Sequence, residues 1–229
     1  MSRTTHGWAP YVDPPGVLVV HSAPWDTTST ALRMRDGWVV VDSPVEPGEP
    51  EGLLRTLAKE GAPVRALLVT HADWDHLLMP PALPGAEVVL ERRTAARLTA
   101  HGPAIAAELA AYDRAAGRAP RTLADLSAAR VVDAPATIAV AGGRVEVHPV
   151  PGHTADGAAY LFPDAAVLCP GDYLSPVEEP LVDRGGSVAA YLDALDLLES
   201  LLGRIDRVVP GHGPVMTPAE ARAVLRDHR

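Results

Sequence analysis

Short apolar runs alternate with turn residues through the first third of the chain. Residues 16–20 and 30–35 read as strands, and Asp36-Gly37 marks a tight turn into Trp38-Val39-Val40-Val41, which ends at Asp42. Pro50 suits the first turn of a helix whose apolar positions are Leu53, Leu54 and Leu57, and Gly61 would end it. An apolar strand over 65–70 runs straight into His71-Ala-Asp73-Trp-Asp75-His76, and another follows at 87–90. From 92 to about 127 the chain is Ala-rich and reads as helices broken near Gly102-Pro103 and again between 117 and 120. Alternation on either side of Gly142-Gly143 predicts a hairpin of 137–141 with 144–148. A second hairpin pairs 158–162 with 165–169 across Pro163-Asp164. Residues 187–202 make the clearest amphipathic helix, with Ser187 as its N-cap and Val188, Tyr191, Leu192, Leu195, Leu198 and Leu202 on one face. A short strand at 207–209 and a helix at 218–226 complete the pattern.

Composition narrows the class. The 229 residues are 47% apolar and 21% charged, enough to build a folded core, and with aromatics at 4% that core must be mostly Val, Leu and Ala. No repeat or domain boundary shows, so a single domain over 1–229 is expected. The net charge of −9 repels phosphate backbones and no dense Lys/Arg cluster offsets it, which argues against a nucleic-acid partner. Met1-Ser-Arg-Thr-Thr-His-Gly-Trp8 lacks the apolar core of a secretory leader, and no apolar run is long enough to span a bilayer. Cys169 is the one cysteine, so no intrachain disulfide forms, which fits a cytoplasmic location.

One arrangement recurs. An apolar strand ends and a His or Asp follows at once, often beside Gly, at Asp42, His71, His153, Asp172 and His212. A side chain placed there is held by a rigid strand yet projects from the sheet edge. His71, Asp73, Asp75 and His76 alone would pass for a surface turn. Joined by Pro151-Gly-His153-Thr, Gly171-Asp172 and Pro210-Gly-His212-Gly, they do not.

In these ordered motifs, from Asp42 to His212, the sequence resembles the metallo-β-lactamase superfamily, whose leading signature is His-x-His-x-Asp-His after a strand. The resemblance implies an α/β architecture, an αββα sandwich of two mixed β-sheets flanked by helices. It implies a small stand-alone hydrolase, similar to the glyoxalase II branch, with two divalent transition-metal ions, zinc first and iron or manganese as alternatives. One ion would take His71, Asp73 and His153. The other would take Asp75, His76 and His212, and Asp172 would bridge them. Asp75 would also accept a proton, and Asp42 would stand behind the ligands and orient their loop. A hydroxide between the metals would attack a small thioester, lactone, ester or amide. The helical segment 94–126 would cover the site. Two other functions stay open. A persulfide dioxygenase-type enzyme would hold one iron with His71, His153 and Asp172, and a non-catalytic metal-binding protein would use the ligands without turnover.

Asp73 departs from the signature, where the family usually has His. Counting ligands only, two divalent ions, three carboxylates and a hydroxide make a neutral site, which would activate water less than the usual +1. The remaining candidates are bland. His148 reads as a surface residue, and His21 as a loop residue beside a strand end. His6, His101 and His228 carry no role, and Cys169 reads as core. Trp25 and Trp74 are candidates for the pocket wall, and Tyr173, directly after Asp172, for substrate contact.

Overall fold

The computed structural model describes residues 16–79, 83 and 85–229. The opening segment considered for a leader, with His6, lies outside them. Eleven strands and four helices follow in the order β1 (Val17–His21), β2 (Thr28–Met34), β3 (Gly37–Val41), α1 (Glu49–Lys59), β4 (Val64–Val69), β5 (Glu87–Glu91), α2 (Arg92–Ala115), β6 (Arg130–Val132), β7 (Ala136–Val140), β8 (Gly143–Pro149), β9 (Ala158–Phe162), β10 (Val167–Cys169), α3 (Val188–Leu201), β11 (Arg207–Val208) and α4 (Pro218–Asp227). They form two sheets, β1-β2-β3-β4-β5-β6 and β11-β10-β9-β8-β7. Both are mixed: β1 to β3 are antiparallel and β3 to β6 parallel, while β10 pairs β11 parallel and β9 antiparallel.

The buried strands explain the unbroken apolar runs. Every residue of β3 and of β9 is buried, because each strand is covered on both faces. Val39, Val41, Ala66 and Leu68 meet Tyr160, Phe162 and Val167 between the sheets. On the far side of the first sheet, Val40, Leu67 and Val69 pack on Leu53 and Leu57 of α1 and on Ile105 and Leu109 of α2. On the far side of the second, Ala159, Leu161 and Leu168 pack on Tyr191, Leu195 and Leu198 of α3 and Leu225 of α4. The layers are therefore helix, sheet, sheet, helix, the expected αββα sandwich. α3 starts at the Ser187 cap, whose hydroxyl accepts from the Ala190 amide, and α4 starts at a Thr217–Glu220 capping box.

Three expectations need correction. α2 runs unbroken through Gly102-Pro103 to Ala115. A mid-helix proline costs about 3 kcal/mol, and buried Ile105 and Leu109 beyond it hold the helix on the sheet. After Ala115 the chain leaves the helix, so the expected helical segment ends well short of 126. On α3 the buried stripe is Tyr191, Ala194, Leu195, Leu198 and Leu201, while Val188 and Leu192 face solvent. β6, three residues long, is too short to announce itself by alternation.

Candidate metal centre

Strand direction builds the site. β3 and β4 are parallel, and β8, β10 and β11 run the same way in the other sheet. Their carboxyl ends lead into Asp42, into Thr70 and His71, and into His153, Asp172 and His212. The two edges are tied together, with the Thr28 amide donating to Gly211 O (2.7 Å) and the Ala158 amide to Thr70 O (2.8 Å). Gly211 must be glycine, since a Cβ there would lie 2.2 Å from Asp172 Oδ1.

Four buried imidazoles converge on Asp172. Its Oδ2 lies 3.3 Å from His71 Nε2, 3.4 Å from His153 Nε2 and 3.3 Å from His212 Nε2, and its Oδ1 lies 3.2 Å from His76 Nε2. Asp73 Oδ2 stands 3.7 Å from His71 Nε2 and 3.6 Å from His153 Nε2. Asp75 Oδ2 stands 3.6 Å from His76 Nε2 and 3.7 Å from His212 Nε2. The donor atoms gather into close groups: His71, Asp73 and His153; Asp75, His76 and His212; and His71, His76 and Asp172.

Each ring is held by its other nitrogen. His76 Nδ1 faces Asp42 Oδ2 at 3.0 Å, and His71 Nδ1 faces Thr70 Oγ1 at 3.0 Å. His153 Nδ1 reaches Leu181 O at 2.8 Å, and His212 Nδ1 reaches Trp25 O at 3.1 Å. Asp42, in a left-handed conformation at φ 56, also accepts the Thr70 amide and hydroxyl, both at 2.7 Å. With Nδ1–H donating outward, Nε2 offers a bare lone pair inward. The Nε2 atoms of His71, His76 and His153, and Asp172 Oδ1, are buried without a hydrogen-bond partner among the described residues. Buried polar atoms are rarely left so. Zinc bonds of roughly 2.0–2.2 Å place neighbouring tetrahedral ligands about 3.3–3.6 Å apart, close to the spacings here. The residues fit bound divalent metal.

Electrostatics points the same way. Burial pulls the His71 and His212 imidazoles down, but the Asp172 carboxylate outweighs it and carries them to about 10 and about 9; His76 rises as well, with Asp172, Asp75 and Asp42 around it. Burial works against the Asp172 and Asp73 carboxylates too, yet surrounding cations hold both well below the ordinary range. Protons thus occupy the place of cations in the metal-free cluster. An imidazole raised above its unfolded value of 6.5 stabilises the fold below that pH, and the contribution disappears as pH climbs through its folded value. The metal-free protein should therefore melt at steadily lower temperature from about pH 7 to pH 10, and the metal-loaded protein much less so. Thermal melts with and without chelator check this, and equal pH slopes would contradict it.

The structure adds residues that the sequence pattern did not announce. Arg97, on α2, forms ion pairs with Asp73 and, at 2.8 Å, with Asp156. Arg184 lies 3.3 Å from Asp73 Oδ2 and 2.7 Å from Glu108. Counting only ligands thus understated the positive charge around Asp73, and a site less able to activate water does not follow from that count. Glu178 Oε1 lies 3.7 Å from His212 Nδ1 and its carboxyl is pushed up by burial.

A cavity of about 430 Å³ opens onto Asp73, Asp75, His153, Asp172 and His212. Trp25 and Trp74 line it, as expected of a pocket wall. His228 lines it as well, against expectation, because α4 returns the chain end to the mouth, where Nδ1 lies 3.3 Å from the Tyr191 hydroxyl. Tyr173 is a correction: it is buried, its ring stacks on Tyr191, and its hydroxyl accepts from the His153 amide at 2.9 Å, so it braces a ligand loop and does not line the cavity. His21, read as a loop residue, is the last residue of β1 and pairs with Asp26; His148, read as a surface residue, is half-buried beside Glu146; Cys169 is core, as read.

A family model described as the metallo-β-lactamase superfamily matches residues 23–212. A hydroxyacylglutathione hydrolase from Thermosynechococcus vestitus is 34% identical over 157 residues, 69% of this chain and 53% of that protein, so the chain spans about half the length of this curated relative. Among solved structures, the BLEG-1 B3 metallo-β-lactamase aligns at TM-score 0.69 and 25% identity, covering 90% of this chain and 95% of that one. The TTHA1623 protein in a di-iron-bound form aligns at TM-score 0.67 and 26% identity, covering 90% and 97%.

Proposed function

The chain belongs to the metallo-β-lactamase superfamily, and on that premise we propose that it hydrolyses small acyl compounds, thioesters foremost, with two divalent ions. His71, Asp73 and His153 hold one, Asp75, His76 and His212 the other, and Asp172 is shared. The observation that carries the reading is the convergence of unpartnered Nε2 atoms on Asp172. Zinc is the metal proposed, since imidazole suits it. The likeness to a hydroxyacylglutathione hydrolase supports a thioester. A cavity of about 430 Å³ suits a small molecule, and the net charge of −9 disfavours nucleic acid. Among the described residues no helix is long and apolar enough to cross a membrane, and we place the protein in the cytoplasm on its cysteine usage. Residues 16–229 act as one domain, with α2 bracing the site through Arg97 and Glu108.

When bound, the ions supply Lewis acidity and an acidified water. The chain's own residues do the rest. The Nδ1 anchors fix the rings, so little reorganisation accompanies reaction. Asp75 lines the cavity, and the carboxylate oxygen that it does not give to an ion would take the proton of an attacking water. Trp25 and Leu181 line the cavity and offer apolar surface to the acyl group.

Protein supplied with zinc should hydrolyse short thioesters, lactones or oxyesters and leave a DNA or RNA oligonucleotide intact. Oxygen uptake with a persulfide, and no hydrolysis across the panel, would replace this reading with the iron oxidoreductase.

A further inference from the structure

We propose that Arg97 is a positioning residue that makes Asp73 a one-oxygen donor and thereby sets which metal the first ligand group prefers. The inference rests on the two-metal reading above. Arg97 is 6% exposed, and a guanidinium keeps its charge when buried, so it needs anionic partners. It has two. Its NH2 group donates to Asp73 Oδ1 and its NH1 group to Asp156 Oδ1. Asp156 in turn accepts the Ala72 amide at 2.9 Å and the Thr154 hydroxyl at 2.8 Å. One planar fork therefore joins the 71–76 loop to the 153–156 loop, the two segments that carry His71 and His153.

The consequence lies in what Asp73 has left to give. Oδ1 is engaged by the Arg97 guanidinium, and Oδ2, which also accepts from Arg184 at 3.3 Å, is the oxygen that faces His71 and His153. Asp75, by contrast, has no arginine among its ion-pair partners in the described residues. A carboxylate held this way offers one oxygen, as an imidazole offers one nitrogen. The first group then provides four single-atom protein donors, His71, Asp73, His153 and Asp172, a number that suits zinc. Freed from Arg97, Asp73 could chelate through both oxygens. That adds a hard donor and favours manganese or iron.

The test uses metals alone. Wild-type protein loaded with Co²⁺ gives the reference visible spectrum, whose intensity falls as coordination number rises, and competition titrations give the zinc-over-manganese preference. Arg97→Met should weaken the Co²⁺ absorbance and lower that preference about tenfold or more, the size typical of losing a group behind a ligand. Arg97→Lys, which keeps the charge without the fork, should fall between. In an Asp73→Ala background, Arg97→Met should change neither readout further, because Arg97 acts through Asp73. Unchanged spectrum and preference in Arg97→Met, or the same change with Asp73 absent, overturns the proposal. If Arg97→Met does not fold, the Lys variant decides: a wild-type spectrum and preference there overturn it too. Wild-type protein that takes up no Co²⁺ removes the metal reading itself, a separate failure.

Discussion

Asp172→Asn should cut turnover roughly a thousandfold and strip the protein of metal. Asparagine keeps the shape and removes the charge on which His71, His76, His153 and His212 converge within 3.2–3.4 Å. Its NH2 group would also point hydrogens at nitrogens that need to donate lone pairs. Metal assistance is worth several kcal/mol, and each 1.36 kcal/mol is tenfold in rate, which sets the thousandfold scale. The fold should survive, since the substitution is isosteric and the inter-sheet core lies away from the strand ends. Metal analysis and circular dichroism separate the two effects. An Asn variant that keeps its metal and most of its rate would mean that Asp172 is not shared between ions.

His76→Ala should lower turnover by two orders of magnitude or more while leaving one ion bound. His76 faces Asp42, Asp75 and Asp172, so its loss breaks the Asp75–His76–His212 group and removes one imidazole from Asp172. Asp42 keeps its bonds to the Thr70 amide and hydroxyl, so the strand end stays pinned. His71, Asp73 and His153 remain as they are. Zinc content near one with little turnover is the expected result, and wild-type turnover would mean the second ligand group has no part in the reaction.

The site was legible because its chemistry is local. Each of His71, His153, Asp172 and His212 follows directly on an apolar strand or a Pro-Gly turn, and such a pattern survives without knowledge of tertiary packing. The layering came from the family resemblance, and strands such as 158–162, buried along their whole length, agree with it. Arg97 was not. One arginine in an Ala-rich helix has the pattern of a solvated side chain, and only the docking of α2 on β5 and the ligand loop turns it inward. Glu178 was hidden because it reaches the cavity through a loop with no periodic signal, and His228 because the helix before it was legible but not where α4 docks its end. Asp156 left a trace, a carboxylate three residues after His153, but nothing local told of its partner. Pro103 misled in the other direction, because a local helix breaker was overruled by packing on both sides of it.

The most direct measurement is turnover of a short thioester as metal-free protein is titrated with zinc. Little activity up to the first equivalent, a rise over the second, and a plateau at two per chain is the expected course. Full activity at one equivalent, or metal uptake with no turnover of any acyl substrate, would contradict a two-metal hydrolase.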